Sequence, residues 1–536
     1  MFKHNNEIYF KSKYPDIVIP TDKSLSELIL SSLKQQADNI PMLINGFTHR
    51  EFNTHEIIDL IEKCASGFHQ LGAMKGDIVA ILLPNLPEYA VLFHGALLNG
   101  CIVSLVNPEY TVDEFVKTIG TVQPKFVVST TTILERVGGS FQSFLPTIKH
   151  TVLIGDVEIP NTTSFQNLTR NEGKYPKVAI NNMKDIAIIP FSSGTTGLFK
   201  GVSLTHHNVI SNIYQVKVFE SSLLYKKDSI VGTLPMFHIY GCMLFLGLYL
   251  IDPHTVVICP KFDAVKFLEV MEKYEINIAY IVPPIVLLFA KSPLIDKYNL
   301  SKLRILFSGA APLSDTVEQA IKTRFNGNVI IKQGYGLTET SPATHITPSG
   351  ALRSGSAGLL LPNQIAKIVS TETGKHLGPN ERGELCIKGP NVMAGYFNNP
   401  KATNETIDSD LFLHTGDIAY VDDDGYYFIV DRVKELIKYK GFQVAPAELE
   451  GLLLSNELIQ DVCVVGVPDG DNGEVPRAFV VLKPGNEGKV TQQQINDWLN
   501  PKISNYKRLR GGIFFISAIP KSATGKLLRK NLKSNL

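Results

Sequence analysis

Val79-Ala80-Ile81-Leu82-Leu83 is an unbroken apolar run of strand length. Pro87 follows it, and proline is favoured as the first residue of a helix. Tyr89, Leu92, Phe93, Ala96 and Leu97 then recur at the spacing of one helical face. Cys101 to Leu105 is the next apolar run, stopped at Asn107-Pro108. Strand, helix and strand within about 30 residues make a parallel crossover unit.

The alternation continues outward. Further strands are predicted at Phe126 to Ser129, Ile186 to Pro190, Ile230 to Leu234, Thr255 to Ile258, Ile278 to Val282, Arg304 to Phe307 and Val329 to Lys332. From about Gly355 to Asp431 the texture changes to glycine-rich turns and short strands, a smaller β region. Beyond Arg432, helices at Glu448 to Leu454 and Gln492 to Leu499 and strands at Val462 to Val467 and Ala478 to Leu482 make a compact unit. The fold class is α/β: a large N-terminal domain of sheet-based subdomains plus the β region over residues 1–433, and a small C-terminal α+β domain over 434–536.

The chain has 536 residues, enough for three or four folding units at roughly 150 each. Hydrophobic residues make up 44% and charged residues 19%, as in a soluble globular protein with large cores. With 52 basic against 51 acidic residues, the net charge of +1 argues against a nucleic-acid partner held by bulk charge and favours a small substrate. One local exception stands out. From Lys502 onward there are nine Lys or Arg and no Asp or Glu, either a solvated face or a surface that meets phosphates. The six cysteines show no C-x-x-C spacing, so neither zinc nor a redox pair is indicated, and their sparseness fits a reducing compartment. The N-terminus is polar, and the longest apolar stretch, near Met243 to Ile251, is too short for a transmembrane segment. The expected location is cytoplasmic. The terminal Ser-Asn-Leu approximates a peroxisomal address but lacks its lysine. Oligomeric state is left open.

Ser192-Ser193-Gly194-Thr195-Thr196-Gly197-Leu198-Phe199-Lys200-Gly201 follows a predicted strand. Its glycines let backbone N–H groups approach an anion, and its hydroxyls and lysine add donors and charge. A plain polar loop is the competing reading. No Gly-Lys here is followed by Ser or Thr, which excludes a Walker loop, and no dinucleotide fingerprint follows a strand. Gln333-Gly334-Tyr335-Gly336-Leu337-Thr338-Glu339-Thr340 sets an aromatic between two glycines, free to stack on a base. Thr338 can donate to a phosphate, and Glu339 can hold Mg²⁺.

These segments resemble the adenylate-forming superfamily of acyl-CoA synthetases, peptide-synthetase adenylation domains and beetle luciferases. The likeness spans Phe47 to Lys530, with the motifs in order. Phe199 stands where the family loop usually has proline, and Phe412 where it often has tryptophan. The resemblance implies ATP and coenzyme A as co-substrates, Mg²⁺ as cofactor and a small carboxylic acid as partner. It implies an ATP/AMP site of Ser192, Ser193, Gly194, Thr195, Thr196, Lys200, Ala311 in Ser308-Gly309-Ala310-Ala311-Pro312, Gln333, Gly334, Tyr335 and Thr338. Asp417 in His414-Thr415-Gly416-Asp417 would accept from the ribose hydroxyls, and Arg432 would contact ribose or phosphate. His238, in Pro235-Met236-Phe237-His238-Ile239-Tyr240-Gly241, would orient the carboxylate, with Tyr240 lining the acyl pocket. A lone histidine is otherwise a structural residue, and charged turns are otherwise solvated.

The same resemblance implies a mobile C-terminal domain. Lys526, in Pro520-Lys521-Ser522-Ala523-Thr524-Gly525-Lys526, would serve adenylation. The domain would then turn about Lys434, bringing Lys438 and Gln443 to the thioester-forming state and Lys440 and Gly441 to the coenzyme A path, where Lys261 is another contact. Alternatives within and beyond the family are a carrier-loading adenylation enzyme, a luciferase-like oxygenase and an inactive nucleotide-binding protein. The chain's end ten residues after Lys526 favours free coenzyme A over a fused carrier. Val282-Pro283-Pro284-Ile285-Val286 and Gly441-Phe442-Gln443-Val444-Ala445-Pro446-Ala447-Glu448-Leu449-Glu450 bring the likeness closest to 4-coumarate–CoA ligases. Phe307 and Leu244 stand where plant members tend to have polar residues, so less hydroxylated aryl-propenoic acids or medium-chain fatty acids are the expected substrates.

Overall fold

The structure, a computed structural model, describes the whole chain except residues 5–6, 37, 156–158, 194–198, 221–224, 226–227, 310–312, 314, 441, 471–472, 523–524 and 534–536. The side chains of Ser193 and Gln443 are likewise outside the described set. The opening crossover is present: Ile78–Ile81 and Ile102–Leu105 are parallel neighbours, joined by the helix Glu88–Leu98. Every residue of that helix is buried, so it lies between layers instead of on the surface. It crosses the helix Thr54–Gln70 closely enough that a Cβ on Gly95 would meet Cys64 Sγ at 2.6 Å.

These strands belong to an eight-stranded sheet in which Phe199–Thr205 lies between the antiparallel Ile186–Ser193 and the edge strand Gly395–Tyr396. A second sheet runs through fifteen strands. Its parallel half contains Ser229–Gly232, Ile278–Ile281 and Ile305–Ser308. The strand Ile330–Gly336 pairs in parallel with Ile305–Ser308 on one side and antiparallel with Ala343–Ile346 on the other. It therefore welds the α/β part to the predicted β region, which continues through Gly358–Leu360, Tyr426–Arg432, Leu413–Val421, Gly383–Lys388 and Ile365–Val369.

The C-terminal unit has its own sheet, Ile459–Pro468 antiparallel to Glu474–Leu482, with Ile513–Phe515 parallel to the latter. The helices Pro446–Leu454 and Gln492–Leu499 contribute Leu449, Leu453, Ile495 and Leu499 to a core on one face. Cys463, Val465, Phe479 and Ile519 form a second cluster. The expected helix Gln492 to Leu499 agrees residue for residue. The expected strand at Arg304 begins one residue later, as Arg304 sends its guanidinium to Asp228 at 2.5 Å. The basic tail is partly neutralised, with Lys507 on Glu448, Lys521 on Asp461 and Arg529 on Glu435 and Glu450. No helix among the described residues is long and apolar enough to cross a membrane.

Candidate active site

Ser192 lies opposite Lys200 and Ser193 opposite Phe199 where the two strands pair. Gly194, Thr195 and Thr196 themselves lie outside the described residues, as do Ala311 and Gly441. Lys200 Nζ stands 4.6 Å from the centroid of the Tyr396 ring, a cation–π distance. Tyr396 in turn donates its hydroxyl to Glu339 Oε1 at 2.9 Å. Burial, then the neighbouring Glu339 carboxylate, pushes the Tyr396 phenol up, so the hydroxyl stays protonated and remains a donor. The short turn Thr338–Thr340 carries Glu339 into this position, and its backbone carbonyl accepts from Met393 N. Thr338 is half-buried beside it.

The ends of two strands bring the next group together. Asp417 and Arg432 are cross-strand neighbours, with Arg432 Nε 3.6 Å from Asp417 Oδ1. Tyr335 donates its hydroxyl to Asp417 Oδ2 at 2.6 Å. Asp417 is buried, which raises its carboxyl above the usual range; Arg432 and Tyr335 pull against that shift. The glycines flanking Tyr335 are required by close approach: a Cβ on Gly334 would lie 2.9 Å from Phe307 Cε1, and one on Gly336 would coincide with the Pro342 carbonyl oxygen. Gln333 spends its side-chain amide on the Leu313 N–H, 3.1 Å, and on Glu318, 2.6 Å. It anchors Leu313.

Lys526 reaches this group from the C-terminal unit. Its turn closes through Gly525, at φ +78°, whose missing Cβ leaves room for Pro284 of the large domain at 3.3 Å. Burial, then Arg432, lowers the Lys526 ammonium below its ordinary value, while Glu339, Asp417 and Glu435 act to hold the proton on. His238 feels the same lysine: burial, then Lys526, depresses its pKa to about 3. Its Nδ1 accepts from Tyr240 N at 3.3 Å, so the neutral ring carries its proton on Nε2. On the same C-terminal unit, Lys438 is exposed on the strand Ile437–Tyr439, opposite Gln443. Lys434, Lys440 and Lys261 are exposed too. The joint between the units is anchored by Asp431, which accepts from Arg432 N and Ala447 N.

On the other side of Gly334 lies an aromatic cluster. Phe307 is 5.2 Å from Tyr280 and 6.5 Å from Tyr240, and a Cβ on Gly309 would touch Tyr240 at 2.9 Å. Leu244 is fully packed in the same hydrophobic core, at the start of a π-helical turn. Lys332 pairs with Phe307 across the strands and is completely buried, its Nζ 5.6 Å from the Phe307 centroid.

The model of the AMP-binding enzyme family matches residues 32–397, and that of its C-terminal domain matches 448–526. The chain belongs to the AMP-binding enzyme family. Within it, the chain is a member of the 4-coumarate–CoA ligase group. It is 55% identical to "Probable 4-coumarate–CoA ligase 1" of Dictyostelium discoideum, over 99% of this chain and 98% of that one. It is 40% identical to 4-coumarate–CoA ligase 1 of Petroselinum crispum, over 99% and 97%. An anthranilate CoA ligase solved with anthranoyl-AMP superposes with a TM-score of 0.87 at 25% identity, covering 96% of this chain and 98% of that one. ATP-bound MatB from Rhodopseudomonas palustris superposes at 0.85, also at 25% identity, over 95% and 98%.

Three residues beside the candidate site escaped the motif reading. Tyr396 is far from Lys200 in sequence, and the pairing of Gly395–Tyr396 with the strand Phe199–Thr205 brings its ring to Lys200. Glu384 sits on a strand beside the Thr-Gly-Asp turn, thirty residues away from His414 in sequence. Lys332 immediately precedes Gln333 and ends the predicted strand Val329 to Lys332, which the structure extends to Gly336.

Proposed function

We propose that this AMP-forming CoA ligase adenylates its acid with Lys526 and transfers the acyl group with Lys438. The observation that carries this reading is the setting of Lys526 among Asp417, Arg432, Glu339 and His238, while Lys438 on the same unit faces solvent. In the first half, the carboxylate attacks the α-phosphate of ATP and pyrophosphate leaves. Lys526 offsets the charge that gathers there, and a cation already in place needs no reorganisation. His238 Nε2–H orients the carboxylate. Asp417 accepts from the ribose hydroxyls, Arg432 contacts ribose or phosphate, and Thr338 donates to the α-phosphate. Tyr335 stacks on adenine, with Gln333, Gly334 and Ala311 around it. The 192–200 loop, ending at Lys200, takes the outer phosphates. Mg²⁺ favours a carboxylate oxygen together with phosphate oxygens and water, and Glu339, a carboxylate fixed beside that loop, fits this preference and would hold it.

The C-terminal domain, residues 434–536, then turns about Lys434. Lys438 and Gln443 reach the adenylate, and Lys440, Gly441 and Lys261 line the path of coenzyme A. The thiol attacks the acyl carbonyl and AMP leaves. Partial reactions test this order. Lys438→Ala should keep acid-dependent pyrophosphate release in the absence of coenzyme A and lose coenzyme A-dependent AMP turnover. Equal loss of both halves would overturn the division of labour.

The aromatic cluster of Tyr240, Tyr280 and Phe307, beside Leu244, supports an aryl-propenoic or medium-chain acid, with cinnamate or octanoate preferred to 4-coumarate. Lys332 favours a second reading, an acid with a hydrogen-bond acceptor at its far end. The ratio of kcat/KM for 4-coumarate to that for cinnamate separates them: below one supports the first, above one the second.

A further inference from the structure

Asp417 is aimed by a turn that another pair of residues holds. Glu384 accepts the Gly416 N–H at Oε1, 3.0 Å, and faces His414 Nδ1 with Oε2, 2.9 Å. Thr415 donates its hydroxyl to Leu385 O at 2.7 Å and accepts from Asp417 N at 3.1 Å. Gly416 sits at φ +72°, and its carbonyl accepts from Val433 N, next to Arg432. The strands Gly383–Lys388 and Leu413–Val421 shift register at this point, so ladder pairing alone does not fix the turn. The carboxylate of Glu384 supplies what the ladder lacks.

The charges around His414 come from three further elements. Glu384 and Cys386 lie on the adjoining strand, with Cys386 Sγ 3.5 Å from Nδ1. Asp408, from the turn after the helix Pro400–Thr406, stands 3.5 Å from His414 Nε2. Lys367, on Ile365–Val369, neutralises Asp408 at 2.7 Å. The hydrogen bond to Glu384 is the largest influence and raises the imidazole above its ordinary value; partial burial and Lys367 act against it. Protonated, His414 donates from Nδ1 while its charge holds both carboxylates. As pH rises through the raised value, the charge is lost, the Asp408 contact loses its attraction and the bond to Glu384 becomes a neutral-donor one.

We propose that Glu384 and His414 are positioning residues for Asp417, a carboxylate–imidazolium clamp that makes the grip on the nucleotide's ribose depend on the charge of His414. The proposal rests on the reading of Asp417 as the ribose acceptor. Adenosine is the probe, because it carries the ribose and base without a titrating phosphate. Its dissociation constant is measured by calorimetry between about pH 6.5 and about pH 9 at constant ionic strength. The wild type should weaken roughly fivefold across this range. His414→Gln and Glu384→Gln should bind weakly at both ends, with less than about a twofold change. Glu384→Gln keeps an acceptor for Gly416 N–H, so it guards against simple loss of the turn. A fivefold pH dependence that persists in His414→Gln, or a flat wild type, overturns the clamp. If Asp417→Asn and 3′-deoxyadenosine both bind as adenosine does to wild type, the ribose reading fails and the clamp with it. If those two lose affinity while the His414 and Glu384 variants behave as wild type, the clamp alone fails.

Discussion

Replacing Lys526 by alanine should sharply slow adenylation without weakening the fold. The buried ammonium lies within electrostatic reach of Asp417, Glu339 and Arg432, where the reacting phosphate is proposed to lie. A unit charge about 4 Å from a cation interacts by about 4 kcal/mol at an effective dielectric near 20. Only charge that develops in the transition state counts towards the rate, and Arg432 remains nearby. The expected loss is therefore about 3 kcal/mol, or roughly 10²- to 10³-fold in acid-dependent pyrophosphate release. Transfer to coenzyme A from presynthesised acyl-AMP should stay within about threefold of wild type, because that step does not use the lysine. The sign for stability is opposite. The folded-state value of Lys526 is depressed, so the fold disfavours its charged form at neutral pH, and that cost fades as pH rises through the depressed value. Removing the charge should leave the thermal midpoint at pH 7 unchanged or higher. The alkaline limb of the adenylation rate should fall below the ordinary lysine range in the wild type and vanish in Lys526→Arg, whose guanidinium does not titrate. Equal loss in both half-reactions, or a lower midpoint with proportionate loss of activity, would refute the electrostatic reasoning.

Tyr396→Phe keeps the ring under Lys200 and removes the donor to Glu339, so KM for Mg·ATP should rise about five- to tenfold with little change in KM for the acid. Lys332→Leu should raise the preference for cinnamate over 4-coumarate if the buried ammonium meets the far end of the acid, and should leave the ratio unchanged if it does not. Gly336→Ala drives a Cβ into the Pro342 backbone, and backbone cannot swing aside; loss of soluble protein, or destabilisation of about 3 kcal/mol or more in denaturation assays, is expected.

The parallel half of the fold was legible because its strands are buried on both faces and read as unbroken apolar runs, as at Val79 to Leu83 and Ile278 to Val282. Sheet continuity was not legible. Nothing local in Ile330–Gly336 says that its two edges pair in opposite senses, since pairing partners are set by chain far away. Motif residues such as Tyr335, Asp417, Arg432 and Lys526 came together because their chemistry is concentrated in short stretches. Their supports did not: Glu384 acts through its two carboxylate oxygens and Tyr396 through its ring and hydroxyl, each an isolated residue outside the motifs. The Gln333 side chain shows the converse, a motif residue whose amide is committed to the scaffold.

The strand Ile330–Gly336 has a consequence for how this ligase can diverge. Its side chains alternate, so Lys332 and Gly334 look towards Phe307 while Gln333 and Tyr335 look the other way, to the loop anchor and to Asp417. If the acid lies against the aromatic cluster as proposed, change at Lys332 alters what it meets, while Gln333 and Tyr335 hold the groups assigned to the nucleotide and Gly334 and Gly336 are fixed by close packing. On that assignment a lineage can explore new acids by substitution at Lys332 while leaving its neighbours Gln333 and Tyr335, and the chemistry common to the family, untouched.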